Sequence, residues 1–344
     1  MTHSLIPIRY SDDVETVPED ELDTIARIVS TLRDILQSNS QQRGERARDV
    51  HVKSHGCAKA ILTVEKDLPP EYAQGLLAAP AKYPAVLRFS NTNPFRHWDL
   101  LPDARGLALQ VSEVPGEFLA SDQGNPTQEF LMANHLTFIA PDAKGYLELQ
   151  QARANAKLMG LFSTTRKLAT AISAWRLPKK AASSVLQIAS QFPRHPAAYS
   201  YYSMVPIRFG DYVAKYRVRP SAGADGGLLV NALWNANAMQ TAFDASLREK
   251  GFVLDFQIQL CTSQSSMPIE DASVRWSEDQ SAFQTVAKIH VPSQEVMPTK
   301  SFEDHSLRFD VWHALVAHQP LGGINRTRRA AYPVSVEWRS SQSK

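Results

Sequence analysis

The stretch RDVHVKSHGCAKAILT, residues 48–63, decides the reading of this chain. It sets Arg48 three residues ahead of His51 and leads into a segment of strand character from Ala60. A second segment, NRTRRAAYPVSVEWR at residues 325–339, answers it near the other end. There Arg328 stands four residues before Tyr332, and Arg339 seven residues after it. On a helical turn the first spacing puts Arg328 and Tyr332 on one face.

Working outward from the first stretch, residues 1–18 read as an irregular arm, and Glu19 to Ser38 carry a helical stripe of Leu22, Ile25, Ile28, Val29, Leu32, Ile35 and Leu36. After Ala60 the period changes. Short apolar or alternating runs at 60–66, 83–90, 105–112 and 128–140 are separated by Pro, Gly and Asn. Helical spacing returns over 145–192, with a break at Pro178. Further strands are expected at 200–219, 227–233, 252–262 and 283–291, with a short helix over 236–250. Successive short strands of this kind suggest an antiparallel sheet or barrel. No internal repeat or low-complexity linker interrupts it. One domain over 1–344 is expected: an arm and helix (1–43), a first barrel half (44–142), a helical insertion (143–198), a second barrel half (199–295) and a closing segment (296–344).

Composition narrows the class. The chain has 344 residues, 43% hydrophobic and 21% charged, as in ordinary globular proteins. A net charge of +2 gives no indication of nucleic acid. Cys57 and Cys261 make neither a disulfide framework nor a zinc site. The N-terminus lacks a basic region followed by an apolar run, and no segment reaches the roughly 20 apolar residues of a membrane span. A cytoplasmic protein is expected.

Histidine titrates near neutrality, so His51 can take a proton and give it back. Ser90, in Arg88-Phe89-Ser90, offers a hydroxyl, and Asn134 an amide amid apolar residues. His55 competes with His51, because their spacing also suits metal ligands. A lone histidine or asparagine beside a strand is usually a satisfied rim residue, and an arginine-rich helix usually a solvated face. The ordered set outweighs its members. Arg48-x-x-His51, Arg88-Phe89-Ser90, Asp103-Ala104-Arg105-Gly106, the Asn before an aromatic strand, and Arg328-x-x-x-Tyr332 with Arg339 together resemble the catalase family. Phe309 to Trp312 and His318 to Arg326 look like its smaller catalase-related haem proteins.

That resemblance implies an α+β fold: a catalase-like antiparallel eight-stranded β-barrel with helical insertions and a C-terminal helix carrying the haem ligand. It implies haem b, with Tyr332 as axial ligand to iron and Arg328 hydrogen-bonded to the phenolate. The register with Arg48 and Gly56 makes His51 the distal acid/base. Ser90 would orient its ring, Asn134 would donate to the peroxide, and Val50 would cover the haem face. Arg48, Arg88 and Arg339 would clamp the propionates, and Phe138 joins the cofactor-binding set. The implied function is a haem-dependent peroxidase using hydrogen peroxide or organic hydroperoxides, with some catalase activity. Its implied partners are a small-molecule peroxide and an organic electron donor, without nucleic acid or stable membrane insertion; a homodimer or homo-oligomer is left open.

The chain departs from the family at Arg217, where many catalases carry histidine near the proximal pair. It ends five residues after Arg339, so the C-terminal helical region, a nicotinamide cofactor and the interlocked tetramer of larger catalases are not expected. Two alternatives remain. Between Leu149 and Gly210 there are nine Lys or Arg and no acid, which would suit a fatty-acid carboxylate. That admits a fatty-acid hydroperoxide isomerase or lyase resembling catalase-like allene oxide synthases, although those tend to carry Thr where Val50 stands. A non-enzymatic haem carrier is the other alternative, and it would need no His51, Ser90 and Asn134.

Overall fold

A computed structural model describes residues 6–119, 127–158, 192–221, 227–297 and 308–341. Among these residues nine strands form one antiparallel sheet. They are β1 Ser54–Val64, β2 Lys82–Asn91, β3 Arg105–Val111, β4 Gln128–Ala133, β5 Tyr201–Tyr202, β6 Ile207–Phe209, β7 Tyr212–Pro220, β8 Phe252–Leu260 and β9 Gln284–Val291. Consecutive pairing runs from β1 to β5, β5 pairs β7, and β7-β8-β9 return to β1. Eight strands therefore close a barrel, and β6 is a hairpin appended to β7. Closure leaves no strand edge among those eight, and a barrel of this size fills with side chains. Alternate residues of β1 do this: Ala58, Ala60, Leu62 and Val64 are buried while Lys59 and Ile61 face out. Phe89, Leu107, Phe130, Tyr216 and Phe256 occupy the same core.

Helix α1 (Glu21–Arg43) buries Ile28, Leu32, Ile35 and Leu36, the stripe expected from its spacing. Gly44 ends it at φ 73, where its N–H reaches the Ser40 carbonyl; left-handed backbone of this kind favours glycine. Helix α2 (Ala143–Leu158) packs Ala143 and Leu147 on Ile28. Helix α3 (Ala238–Glu249) lays Phe243 on Gly56 and Phe89. Helix α4 (Gly323–Ser340) sets Val334 and Trp338 against Leu32 and Leu36 of α1.

The start of α4 is clasped. Arg326 pairs with Glu15 of the arm, with Glu21 of α1 (2.6 and 2.8 Å) and with Glu270 (2.8 and 3.1 Å). Glu15 and Glu270 also accept the Gly322 and Gly323 N–H groups, at 2.7 and 2.9 Å. Carboxylates suit this end of a helix, whose dipole is positive there.

Several boundaries differ from expectation. The strand expected at 128–140 stops at Ala133. The one at 200–219 is three, split where Met204 takes a positive φ of 62. Residues 227–233 are no strand: Val230–Leu233 form a 3₁₀ turn, tied by Ala232 N–H to Leu229 and Trp234 N–H to Asn231. Leu228, Val230 and Leu233 stay exposed, and the run's pairing is limited to one antiparallel bridge, Leu228 with Arg194. Of the helix expected over 145–192, the part to Leu158 is α2, and 159–191 lie outside the described residues. Among the described residues no helix is long and apolar enough to cross a membrane.

Candidate active site

A cavity of about 530 Å³ lies between the barrel mouth and helices α1, α2 and α4. That volume falls in the usual range for a cofactor pocket. Its barrel wall comes from residues 48–51, the C-terminal end of β2, the start of β3 and the end of β4. Its helical wall includes Ile324, Arg328, Tyr332, Val336 and Arg339 of α4, which recur every three or four residues along one face. Arg48, Val50, His51, Arg88, Ser90, Phe138, Arg328, Tyr332 and Arg339 all line it. Nine of the ten residues singled out in the sequence therefore meet in one place.

His51 is held at φ 61, the left-handed region that only a few per cent of non-glycine residues occupy and in which histidine is enriched. Its segment runs beside 92–93, with His51 N–H to Thr92 and Val52 N–H to Asn93, both at 3.4 Å. Arg88 donates to the His51 carbonyl at 3.0 Å. Ser90 Oγ lies 3.0 Å from Nδ1 of the imidazole, which leaves Nε2 for a ligand. The ring rests on Gly106, which pairs with Ser90 on one side and Ala133 on the other. A Cβ at Gly106 would stand 2.5 Å from two ring atoms, so glycine is needed here for close approach. Gly106→Ala should push the ring off its hydrogen bond. The expected result is a folded protein with its barrel circular dichroism intact and its His51 ring resonances shifted; unchanged resonances would contradict the close approach.

Behind this wall the chain is pinned by buried polar groups. Lys53 Nζ pairs with Asp99 at 2.7 Å, and His55 Nε2 lies 2.5 Å from Asn91 Oδ1, which also accepts from Arg105 Nη1 at 2.7 Å. His55 is thus fully buried in this network rather than on the cavity. Asp103 does line the cavity; its carboxyl is held low although burial opposes ionisation, because His97, Thr92 and Arg105 stabilise the charge.

Burial, reinforced by Arg88, lowers His51 to about 4. Burial lowers His55, His195 and His318 to about 4 as well. The ordinary value is near 6.5, so between there and about 4 the unfolded chain binds protons that the folded chain does not. Stability should be full above about pH 6.5 and fall as pH drops toward 4. Denaturation midpoints measured from pH 7 to 4.5 should decline steadily; a flat profile would contradict this.

On the helical wall, burial raises the Tyr332 phenol, while Arg328 pulls the other way and Asp310 adds to the rise. Arg328 also donates to Asn325 Oδ1 at 3.0 Å and lies over the Phe138 ring at 5.5 Å. Arg339 is lowered to about 10, by burial first and then by Arg88 and Arg308. An anion between Arg88 and Arg339 would relieve that repulsion.

Two positions depart from expectation. Asn134 is not among the residues lining the cavity. Its Oδ1 accepts from Arg105 N–H at 2.7 Å, and its own N–H donates to the Arg105 carbonyl at 2.9 Å. His135, which sequence reasoning passed over, lines the cavity instead. Arg217 is turned away from the proximal pair: it binds Gln257 at 2.5 Å and Glu278 at 2.9 Å, and lies over Phe283. The neighbouring Tyr216 is the β7 residue whose hydroxyl senses Arg328 and Tyr332. Among the described residues no cluster of His, Cys, Asp and Glu is placed to hold a bare metal ion.

No family model and no curated protein matches the sequence. Solved structures do match the fold. A fungal catalase superposes with a TM-score of 0.66 at 14% identity, covering 98% of this chain and 66% of its own. Catalase A from Saccharomyces cerevisiae gives 0.67 at 14%, covering 98% and 68%, and a bacterial catalase gives 0.64 at 15%, covering 97% and 63%. This chain therefore spans about two thirds of the length of the catalases it resembles, and its fold is catalase-like.

Proposed function

We propose that this chain is a haem-dependent peroxide-processing enzyme, a peroxidase using hydrogen peroxide or organic hydroperoxides with some catalase activity. One observation carries the reading: the His51–Ser90 pair and the Tyr332 phenol face one cavity edged by arginines. The residues fit haem b. A phenol can ligate ferric iron, and guanidinium groups bind carboxylates through paired hydrogen bonds. Tyr332 would hold the iron, with Arg328 favouring the phenolate. Arg48, Arg88 and Arg339 would take the propionates, while Val50 and Phe138 would pack on the ring. Haem would supply the iron centre at which peroxide is reduced.

His51 does the proton work. Neutral above about pH 4, its imidazole can accept the peroxide proton at Nε2 and return it to the departing oxygen. Ser90 keeps the ring in the orientation for both transfers. Arg88, bonded to the His51 carbonyl, links the propionate clamp to that backbone. The organic donor is expected at the open side of the cavity, in a cytoplasmic setting.

The test is to titrate the protein with haem, then follow oxygen release and donor oxidation after adding peroxide. Fast donor oxidation with little oxygen is expected. Oxygen release indifferent to the donor would make it a catalase. A haem-loaded protein silent in both channels but converting a lipid hydroperoxide without donor would make it an isomerase or lyase. Failure to take up haem would end the reading.

A further inference from the structure

We propose that His135, not Asn134, is the second polar side chain that contacts the substrate beside His51. The inference rests on the haem reading above and deepens it. Asn134 does not line the cavity; its Oδ1 accepts the Arg105 N–H and its main-chain N–H donates to the Arg105 carbonyl, which extends the β3–β4 ladder beyond its last strand pair. Its role there is to end β4.

His135 follows at once and is 8% exposed, on the cavity. The geometry of the barrel mouth brings it toward His51. Ser90, Gly106 and Ala133 are register partners across β2, β3 and β4. Neighbouring strands lie about 4.8 Å apart, so this row is about 10 Å wide. The His51 ring sits over its middle member, Gly106, and is bonded to its first, Ser90. His135 lies two residues beyond its third, Ala133. Strand β4 ends at Ala133 and the chain bends at Asn134, which lets His135 return to the side of the wall that Ala133 occupies. Ala133 and His135 both line the cavity, and Asn134 does not.

The chemistry differs from that of an amide. An asparagine can donate and accept in fixed places. An imidazole places either a donor or an acceptor at each nitrogen, according to tautomer. Beside His51 it can donate to one peroxide oxygen while His51 receives the proton from the other, and a bulky hydroperoxide needs no additional group to be oriented.

The test uses the haem-loaded full chain and potassium cyanide, whose weak acid must lose a proton as it binds ferric haem. Binding is read from the Soret shift, independently of turnover. His135→Leu should weaken cyanide binding at least about tenfold, the value of one lost hydrogen bond to a charged group. His135→Gln, which keeps a donor of similar reach, should recover most of that loss. Haem content should be unchanged in both. Asn134→Ala should lower the melting temperature yet keep cyanide affinity within about twofold, since its bonds belong to the ladder. Wild-type affinity in His135→Leu, or loss of affinity in Asn134→Ala at an unchanged melting temperature, would overturn the inference and leave the haem reading standing. A wild-type protein that takes up no haem would overturn both.

Discussion

Tyr332→Phe is expected to abolish most peroxide turnover while leaving the cavity's shape intact. Phenylalanine keeps the ring and removes only the oxygen that would hold the iron. Burial keeps the free phenol protonated, so the wild-type oxygen ionises only against a metal, with Arg328 assisting. Groups that merely orient a metal ligand typically cost 10–100-fold when removed, so loss of the ligand itself should cost at least about 100-fold. The arginines and apolar walls remain, so haem should still enter, with an altered Soret band. Turnover within threefold of wild type, with an unchanged spectrum, would exclude Tyr332 as the ligand.

His51→Asn should be nearly as damaging for a different reason. Asparagine tolerates the left-handed backbone that His51 occupies, so the loop at φ 61 should stand. On the proposed mechanism the proton carrier is what would disappear, and such carriers contribute roughly 10²–10⁴-fold. The pH profile gives the sharper evidence. As the proposed proton acceptor His51 would have to be neutral, and it is protonated only as pH falls through about 4. Wild-type turnover should be level above about pH 5 and decline below it, and the asparagine variant should lose that acid limb. Because the fold also weakens toward pH 4, the rates need millisecond pH jumps from neutral solution. An acid limb that survives in His51→Asn would place the titration elsewhere.

Most of the barrel was legible in the sequence because its physics is local. Alternation over 60–66, 83–90 and 252–262 reflects a wall with one buried side, and the α1 stripe reflects a helix lying on others. The spacing Arg328-x-x-x-Tyr332 became one face of α4 as a matter of helical pitch. What stayed hidden depends on contacts distant in sequence. The end of β4 is fixed by Arg105, whose backbone takes up Asn134, and nothing local distinguishes that asparagine from its neighbour His135. The direction of Arg217 is set by Gln257 and Glu278, 40 and 61 residues on. The run at 227–233 has the hydrophobicity of a strand but finds only a single bridge, from Leu228 to Arg194, and partnership is not written in the run. Gly106 appeared as one member of a motif; only the His51 ring lying on it shows why a side chain is excluded.

The closure of the barrel also sets an order of birth. Strand β1 must wait for β9, and the Arg326 clasp joins residues up to 311 positions apart. At roughly 5–20 residues per second, a ribosome would release β9 about 10–50 s after β1. In that interval the nascent half-barrel shows an unpaired edge, the form most open to mispairing and most in need of a chaperone. The phenol emerges later still. On the haem reading, a cofactor arriving early would meet imidazole and arginine but no anchor, so its secure capture would coincide with the docking of α4.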